Sequence, residues 1–359
     1  MNKATSSRID HLIKSSGLFS LSVKQDKYIS DFDFSNETIL ITGAAGSIGS
    51  ELSKQLMQCE FKKLILIDIA ESPLYSLIKE LESHSNANIK FVLLNINDRI
   101  ALNCLFEKYR PSMIFHTAAY KHVPLMEQNP YEAVKTNIFG TKNLAELSIK
   151  YLAKKFVFIS TDKAVDPISI MGTTKAISEK YLRGLNLMNT SSFTIIRFGN
   201  IIGSNGSLLP LLKKQIEAEA PITITSKETS RFFITRQSAC YLTLMASTFE
   251  RTENDTFILE MGSPIKITDI VNRVLLTYEN TNLQVKIKYI GLRQGEKLHE
   301  KLISKDETIQ PSENKNIFII KSKINTERKV INFSYLKDIS PFYSNAEIKS
   351  ILNNFYKSL

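Results

Sequence analysis

At 359 residues the chain can bury a sizeable core and is long for one simple domain, so a main domain with a smaller lobe is expected. Its net charge of +10 comes from 46 basic residues interspersed with 36 acids, without the stripe or block of Lys and Arg that nucleic-acid binders use; the bias suits a diphosphate-bearing substrate, or loose attraction to an anionic membrane surface. No run approaches the ~18 apolar residues that span a bilayer, and the N-terminus lacks the apolar core of a secretory signal, so no transmembrane segment and a cytoplasmic location are expected.

Residues 1–36 are polar, with short apolar patches such as Leu18 to Leu21 and no clean period, and are expected to pack on the fold as an extension or to stay partly mobile. Thr38 to Ile41 is a short apolar run that meets a glycine-rich turn, and Ser50 to Leu56 follows as helix. A second strand, Lys63 to Ile67, ends at Asp68; helical spacing returns over Leu74 to Leu81; further strands fit Ile89 to Leu94, Met113 to His116 and Phe156 to Ser160. This alternation predicts an α/β fold with a doubly wound parallel sheet of Rossmann type over 37–199. Beyond Gly199 the alternation loosens, and Gly203, Gly206, Pro210, Pro221 and Pro264 cut the chain into short elements. A substrate lobe over 200–359 is expected, with some segments returning to the sheet domain. Cys59, Cys104 and Cys240 have neither CxxC spacing nor a neighbouring histidine, so they are expected as free thiols and no metal site is predicted.

Thr42-Gly43-Ala44-Ala45-Gly46-Ser47-Ile48-Gly49 is a GxxGxxG loop between a predicted strand and a predicted helix. Gly43 permits the tight turn, Gly46 lets backbone approach a pyrophosphate, and Gly49 lets helix and strand pack, while the helix N-terminus offers unpaired N–H groups to phosphate. Asp68 lies 25 residues after Gly43 at a strand end, where a carboxylate accepts from ribose hydroxyls and repels a 2′-phosphate. No arginine stands in Ile69 to Pro73, so NAD is favoured over NADP. Asn95 and Ile96, ending the third strand, are candidates for the adenine, though a loop asparagine needs no such role.

The segments His116-Thr117-Ala118-Ala119-Tyr120-Lys121-His122-Val123-Pro124-Leu125-Met126-Glu127, Lys135 to Thr141, Thr161-Asp162-Lys163, Arg197 to Ser207, Thr229 to Phe233 and Gly291 to Lys297 together resemble the extended short-chain family of nucleotide-sugar 4,6-dehydratases. Within that family the chain is most similar to the UDP-N-acetylglucosamine 4,6-dehydratases of capsule, O-antigen and protein-glycan synthesis, over roughly residues 37 to 305. Two departures stand out. Gln294 occupies the usual proline of the Arg-Pro-Gly-Glu-Lys loop, and Leu94-Asn95 replaces the usual Gly-Asp. The resemblance implies an NAD-dependent, redox-neutral reaction: C4 of the sugar is oxidised, water leaves across C5 and C6, and the hydride returns to C6. It also implies a homo-oligomer paired through two helices of the sheet domain, and Ala118 and Ala119 against the cofactor.

A short-chain dehydrogenase would show Tyr-x-x-x-Lys where this chain has Met171 and Lys175. A thioether carries no proton, so the chemistry is expected from Asp162 and Lys163. A C5 proton becomes acidic only beside a C4 ketone, after which one base and one acid suffice. Lys163 is the expected C5 base and Asp162 the C6 acid, Asp162 also taking the C4 hydroxyl proton first. A neutral Lys163 requires a pKa several units below ~10.4, and burial with a neighbouring Lys175 ammonium pushes that way. Thr161 is expected to hold the C4 oxygen and Lys175 the nicotinamide ribose. Asn137 is expected beside the cofactor and to brace the active-site helix through a backbone bond; taken without the other motifs, the Thr161-Asp162-Lys163 segment equally describes a charged loop, Met171 core filler and Asn137 a helix-interior polar residue. Lys121, His122, Asn200 and Glu296 are expected near the sugar, and Arg231 and Arg293 on the diphosphate, although surface pairing describes either arginine equally. Glu127 lines the same pocket or caps a helix, and His11, His84 and His299 are expected at the surface. The competing functions are a C5-inverting dehydratase, a UDP-sugar 4-epimerase and, from another class, a non-catalytic NAD-sensing scaffold.

Overall fold

A computed structural model describes residues 2–19, 32–82, 88–186, 190–250, 256–278, 286–322 and 331–359. The strands in chain order are β1 (Asp33–Thr42), β2 (Glu60–Asp68), β3 (Ile89–Leu93), β4 (Met113–His116), β5 (Lys155–Thr161), β6 (Ser192–Phe198), β7 (Asn200–Ile201), β8 (Ile222–Ile224), β9 (Ser230–Arg231), β10 (Phe233–Ile234), β11 (Thr256–Leu259), β12 (Ile265–Lys266), β13 (Ile287–Tyr289), β14 (Glu307–Pro311) and β15 (Ile317–Ser322). The helices are α1 (Lys3–Ser15), α2 (Ser47–Leu56), α3 (Glu71–Leu81), α4 (Arg99–Tyr109), α5 (Val123–Gln128), α6 (Pro130–Ala133), α7 (Thr141–Lys150), α8 (Ile170–Leu185), α9 (Leu208–Glu217), α10 (Arg236–Thr248), α11 (Ile267–Leu276), α12 (Ser334–Lys337) and α13 (Asn345–Ser358), with a π-helical turn over Val134–Gly140 leading into α7.

Nine strands form one sheet in the order β14-β15-β11-β6-β5-β4-β1-β2-β3. From β11 to β3 every pairing is parallel, and the β14–β15 hairpin closes the other edge antiparallel. Strand order reverses between β1 and β4, which is where an open α/β sheet makes its ligand crevice. The runs Leu64–Ile67 of β2 and Met113–Phe115 of β4 are buried on both faces because helices cover both, so they show continuous apolar residues rather than alternation. One face packs Phe106, Leu144, Ile177, Leu182 and Leu352 from α4, α7, α8 and α13; the other packs Leu52, Leu56, Leu77 and Leu244 from α2, α3 and α10. β11, β14, β15, α10 and α13 all follow residue 200 yet belong to these two layers.

Two elements differ from expectation. β1 begins at Asp33, five residues before the apolar run: Phe34 is buried and pairs with Phe61, and a bulge before Thr38 hides the alternation in the sequence. In the N-terminal segment, Lys3–Ser15 is a capped helix whose Ile9, Leu12 and Ile13 share a core with Ile202, Leu209, Leu212, Ile270, Val271 and Val274. The Leu18 to Leu21 patch is described only to Phe19, which is buried there too.

Candidate active site

β1 delivers the chain into the glycine loop, and α2 leaves it. Gly43 has φ +65°, and a Cβ there would lie 2.7 Å from the Ala118 backbone; a Cβ at Gly49 would lie 2.2 Å from the Gly43 carbonyl oxygen. Gly46 caps α2 without a side-chain acceptor, leaving the first-turn amides open to an anion. Asp68, buried at the end of β2, accepts from the amides of Ala45 and Ala70, each at 2.9 Å. Those two bonds hold its carboxylate beside the loop. The Ser47 hydroxyl accepts the Asn205 amide at 3.2 Å, tying the 199–207 segment to the same loop. This cradle of unpaired amides, clash-limited glycines and a fixed carboxylate fits a dinucleotide pyrophosphate and ribose.

At the third strand's end, Asn95 accepts the Asn97 amide at 2.9 Å, while Ile96 is buried in the core against Gly140. Ile96 is therefore a packing residue. Asn137, in the π-helical turn, exchanges two bonds with the Tyr120 backbone, at 2.9 and 3.0 Å, and donates to Thr174 on α8 at 3.0 Å. It acts as the brace on the active-site helix, and it fixes the 118–121 segment. Ala118 lies over Gly43, with Ala119 beside it in the same segment.

The acid–base pair follows β5 in a single 3₁₀ turn, Asp162–Ala164. Asp162 is fully buried; its Oδ1 accepts from Thr161 Oγ1 and from Lys163 Nζ, both at 2.9 Å, and its Oδ2 is buried without a partner. An orphaned carboxylate oxygen is costly unless a ligand group completes it. Lys163 reaches on to Asn200 Oδ1 at 3.1 Å, so Asn200, Lys163, Asp162 and Thr161 form one chain of contacts. Lys121, whose Nζ lies 3.4 Å from Ser204 Oγ, is held below the usual lysine range by burial and then by Arg236 and Lys163.

Lys175 points elsewhere. It is buried, donates to the Ile159 carbonyl at 2.6 Å and sits 3.7 Å from the Phe158 ring centroid. Burial lowers its pKa to about 7, against a smaller opposing pull from Glu179. Met171, one turn earlier, is 3% exposed within the core. His122 lies under Gly206, where a Cβ would come within 2.5 Å of its ring, and burial followed by Lys121 favours its neutral form. Glu127 is buried, accepts the Ile170 amide at 2.7 Å and pairs with Lys349 at 2.8 Å, so it caps α8.

The two arginines differ. Arg231 is buried, and its guanidinium donates to the carbonyls of Ser230, Leu298 and Lys297 and to Glu296 at 3.1 Å. Those bonds shape the 293–298 loop instead of leaving a free fork. Arg293 is exposed and touches only Glu296 Oε2, at 3.4 Å from Nε, leaving its terminal nitrogens available. Lys297 donates to the Val165 carbonyl at 2.7 Å, docking this loop beside the acid–base turn. His299 bonds Ser230 at 2.8 Å, His11 is exposed, and His84 lies outside the described residues.

His116 escaped the sequence reading. It is buried between Thr42 Oγ1 at 2.7 Å and Thr141 Oγ1 at 2.9 Å, and burial followed by the Lys175 charge keeps it neutral. No spacing rule links residues 42, 116 and 141.

A Rossmann sheet with a glycine cradle at its switch point, and the buried Asp162 turn at the end of β5, define a dinucleotide-binding α/β protein. The family model for polysaccharide biosynthesis proteins matches residues 39–322, and the chain belongs to that family. It is 40% identical to the capsular polysaccharide biosynthesis protein CapD of Staphylococcus aureus over 79% of this chain and 48% of that one, and so spans about half that relative's length. It is 32% identical to a UDP-N-acetylglucosamine 4,6-dehydratase (inverting) of Campylobacter jejuni, over 89% of this chain and 98% of that one. The solved structure of Pen from Bacillus thuringiensis superposes with a TM-score of 0.74 at 32% identity, covering 89% of this chain and 98% of that chain. Among the described residues no helix is long and apolar enough to cross a membrane.

Proposed function

We propose that the protein converts UDP-N-acetylglucosamine to UDP-2-acetamido-2,6-dideoxy-4-hexulose with C5 configuration retained, using NAD. The observation that carries this reading is the fully buried Asp162 carboxylate, with one oxygen on Thr161 and Lys163 and the other unpartnered. Dehydration across C5 and C6 needs an acid for the C6 hydroxyl and a base for the C5 proton, whereas a simple dehydrogenase needs one group for the hydroxyl proton alone.

Gly43, Ala45, Gly46, Ser47, Ile48 and Gly49 would hold the pyrophosphate of NAD and Asp68 its ribose, and the cofactor would supply hydride storage between C4 and C6; the Asp68 carboxylate, with no arginine in 69–73, favours NAD over NADP. Thr161 holds the C4 oxygen. Asp162 takes the C4 hydroxyl proton, becoming the neutral acid that protonates the departing C6 hydroxyl. Lys163, beside Asn200, removes the C5 proton once C4 is a ketone and, after exchange with solvent, returns one to C5 as hydride reaches C6. Lys121 and His122 face the sugar, and Arg293, with Glu296 steering it, takes the diphosphate. The homo-oligomer and the cytoplasmic setting belong to the same proposal.

Inversion at C5 has one observation in its favour, the two relatives that carry that name. One experiment tests both. Product formed from UDP-N-acetylglucosamine in deuterated water is expected to lack one water and to carry one deuterium at C5, with proton couplings of the retained hexulose. Couplings of the C5 epimer replace retention with inversion, and a product still carrying the C6 hydroxyl sinks the dehydratase reading.

A further inference from the structure

The N-terminal helix touches two places that meet at the acid–base turn. Arg8 donates from Nη1 to the Ser263 carbonyl at 2.7 Å and from Nη2 to the Met261 carbonyl. Gly262 between them has φ +62°, and a Cβ on it would come 2.9 Å from Arg8 Nη1, so the turn is shaped to receive this guanidinium. That turn joins β11 of the main sheet to β12, which pairs with β9. Met261 Sδ in turn accepts the Gly199 amide at 3.0 Å, and the next residue, Asn200, accepts from Lys163. Farther along the same segment, a Cβ at Gly203 would lie 2.8 Å from Ser16 Cβ, just beyond α1. Ile202 is packed with Ile9, Leu12 and Ile13. Just beyond these two supports the segment carries Ser204 to Lys121, Asn205 to Ser47 and Gly206 to His122.

We propose that α1 is a brace for the 199–207 segment and that Arg8 is its positioning residue, acting on Lys163 through Met261, Gly199 and Asn200. The helix touches neither the acid–base pair nor the glycine loop in any bond described above. Its grip fixes a segment that reaches both, through Asn200 to Lys163 and Asn205 to Ser47. Removing the Arg8 fork frees two carbonyls of the turn, and Gly199 and Asn200 then lose a fixed neighbour. Displacements of this order at a reacting centre cost about 100-fold in rate.

The activity arm of the test rests on the dehydratase reading; the exchange arm does not. In the full chain, Arg8→Ala is expected to speed amide exchange across 199–207 about 10-fold by mass spectrometry, and to lower kcat by about 10- to 100-fold. Asp10→Ala is the comparison. It breaks the other anchor of α1, the ion pair with Arg273, and so loosens the helix without touching the 261–263 turn. A lower melting temperature with native kcat and native exchange at 199–207 is expected of it. Native exchange at 199–207 in a folded Arg8→Ala protein overturns the brace, as does an equal rise in Asp10→Ala. An unmodified protein inert toward UDP-N-acetylglucosamine overturns the dehydratase reading, while the exchange comparison still decides the brace.

Discussion

Asp162 and Lys175 show how burial decides what an ionisable side chain can do. The Oδ2 of Asp162 is buried with no hydrogen-bond partner among the described residues, and in the proposed reaction a substrate hydroxyl completes it. Asp162→Asn keeps the shape and removes the proton carrier. A loss of about 1,000-fold or more in kcat, with cofactor affinity retained, is expected from steady-state rates and dinucleotide titration. Lys175 shifts the other way: its folded pKa near 7 lies below the unfolded value near 10.5. Between these values the unfolded chain binds more protons, so the cost of burying this amine is complete below about pH 7 and shrinks as pH rises toward 10.5. Lys175→Met is therefore expected to raise the melting temperature most near pH 6, with the gain over the parent narrowing by pH 9. A gain independent of pH would show that the folded amine stays charged across this range, its pKa not lowered by burial.

At the scale of elements, each catalytic group is placed by a strand end or a helix start. β1 ends in the cradle, β2 in Asp68, β5 in the acid–base turn, and α8 begins above Lys163, where a Cβ on Gly172 would lie 2.3 Å from the Lys163 carbonyl oxygen. Close packing of α2 on its own loop depends on Gly49. Gly49→Ala puts a methyl against the Gly43 carbonyl, and overpacking of this kind costs ~1–3 kcal/mol. Urea unfolding is expected to show that loss, and dinucleotide titration a weaker complex; an unchanged midpoint would mean the loop yields freely.

For the whole molecule, the decisive feature is a buried ion network that joins distant segments. Arg197 on β6 holds Glu179 of α8 at 2.6 Å and Glu307 of β14 at 2.8 Å; Arg183 joins both acids, and Ser160 donates to Glu179 at 2.5 Å. Glu307 thereby fastens the last hairpin to the helix that carries Lys175. Glu307→Ala strands part of a buried guanidinium, and breaking such a pair costs roughly 3 kcal/mol or more. A lower urea midpoint is the expected result, with kcat of the folded fraction near that of the parent.

How far the chain could be understood from its residues alone depended on the range of each interaction. Strand runs, the glycine loop, Asp68 and the Thr161-Asp162-Lys163 turn were legible because each is local: backbone conformation and hydrophobic period act over a few residues. The β1 bulge, the α1 dock, the commitment of Arg231 to backbone carbonyls and the His116 bridge were not, because their partners lie tens to hundreds of residues away. Composition and pattern determined the parallel α/β sheet, the glycine cradle and the local Thr161-Asp162-Lys163 turn. Only the tertiary structure decided which charges meet, that Arg231 is spent on backbone carbonyls, and that the N-terminal helix packs on the 199–207 segment, since burial and long-range packing set those neighbours.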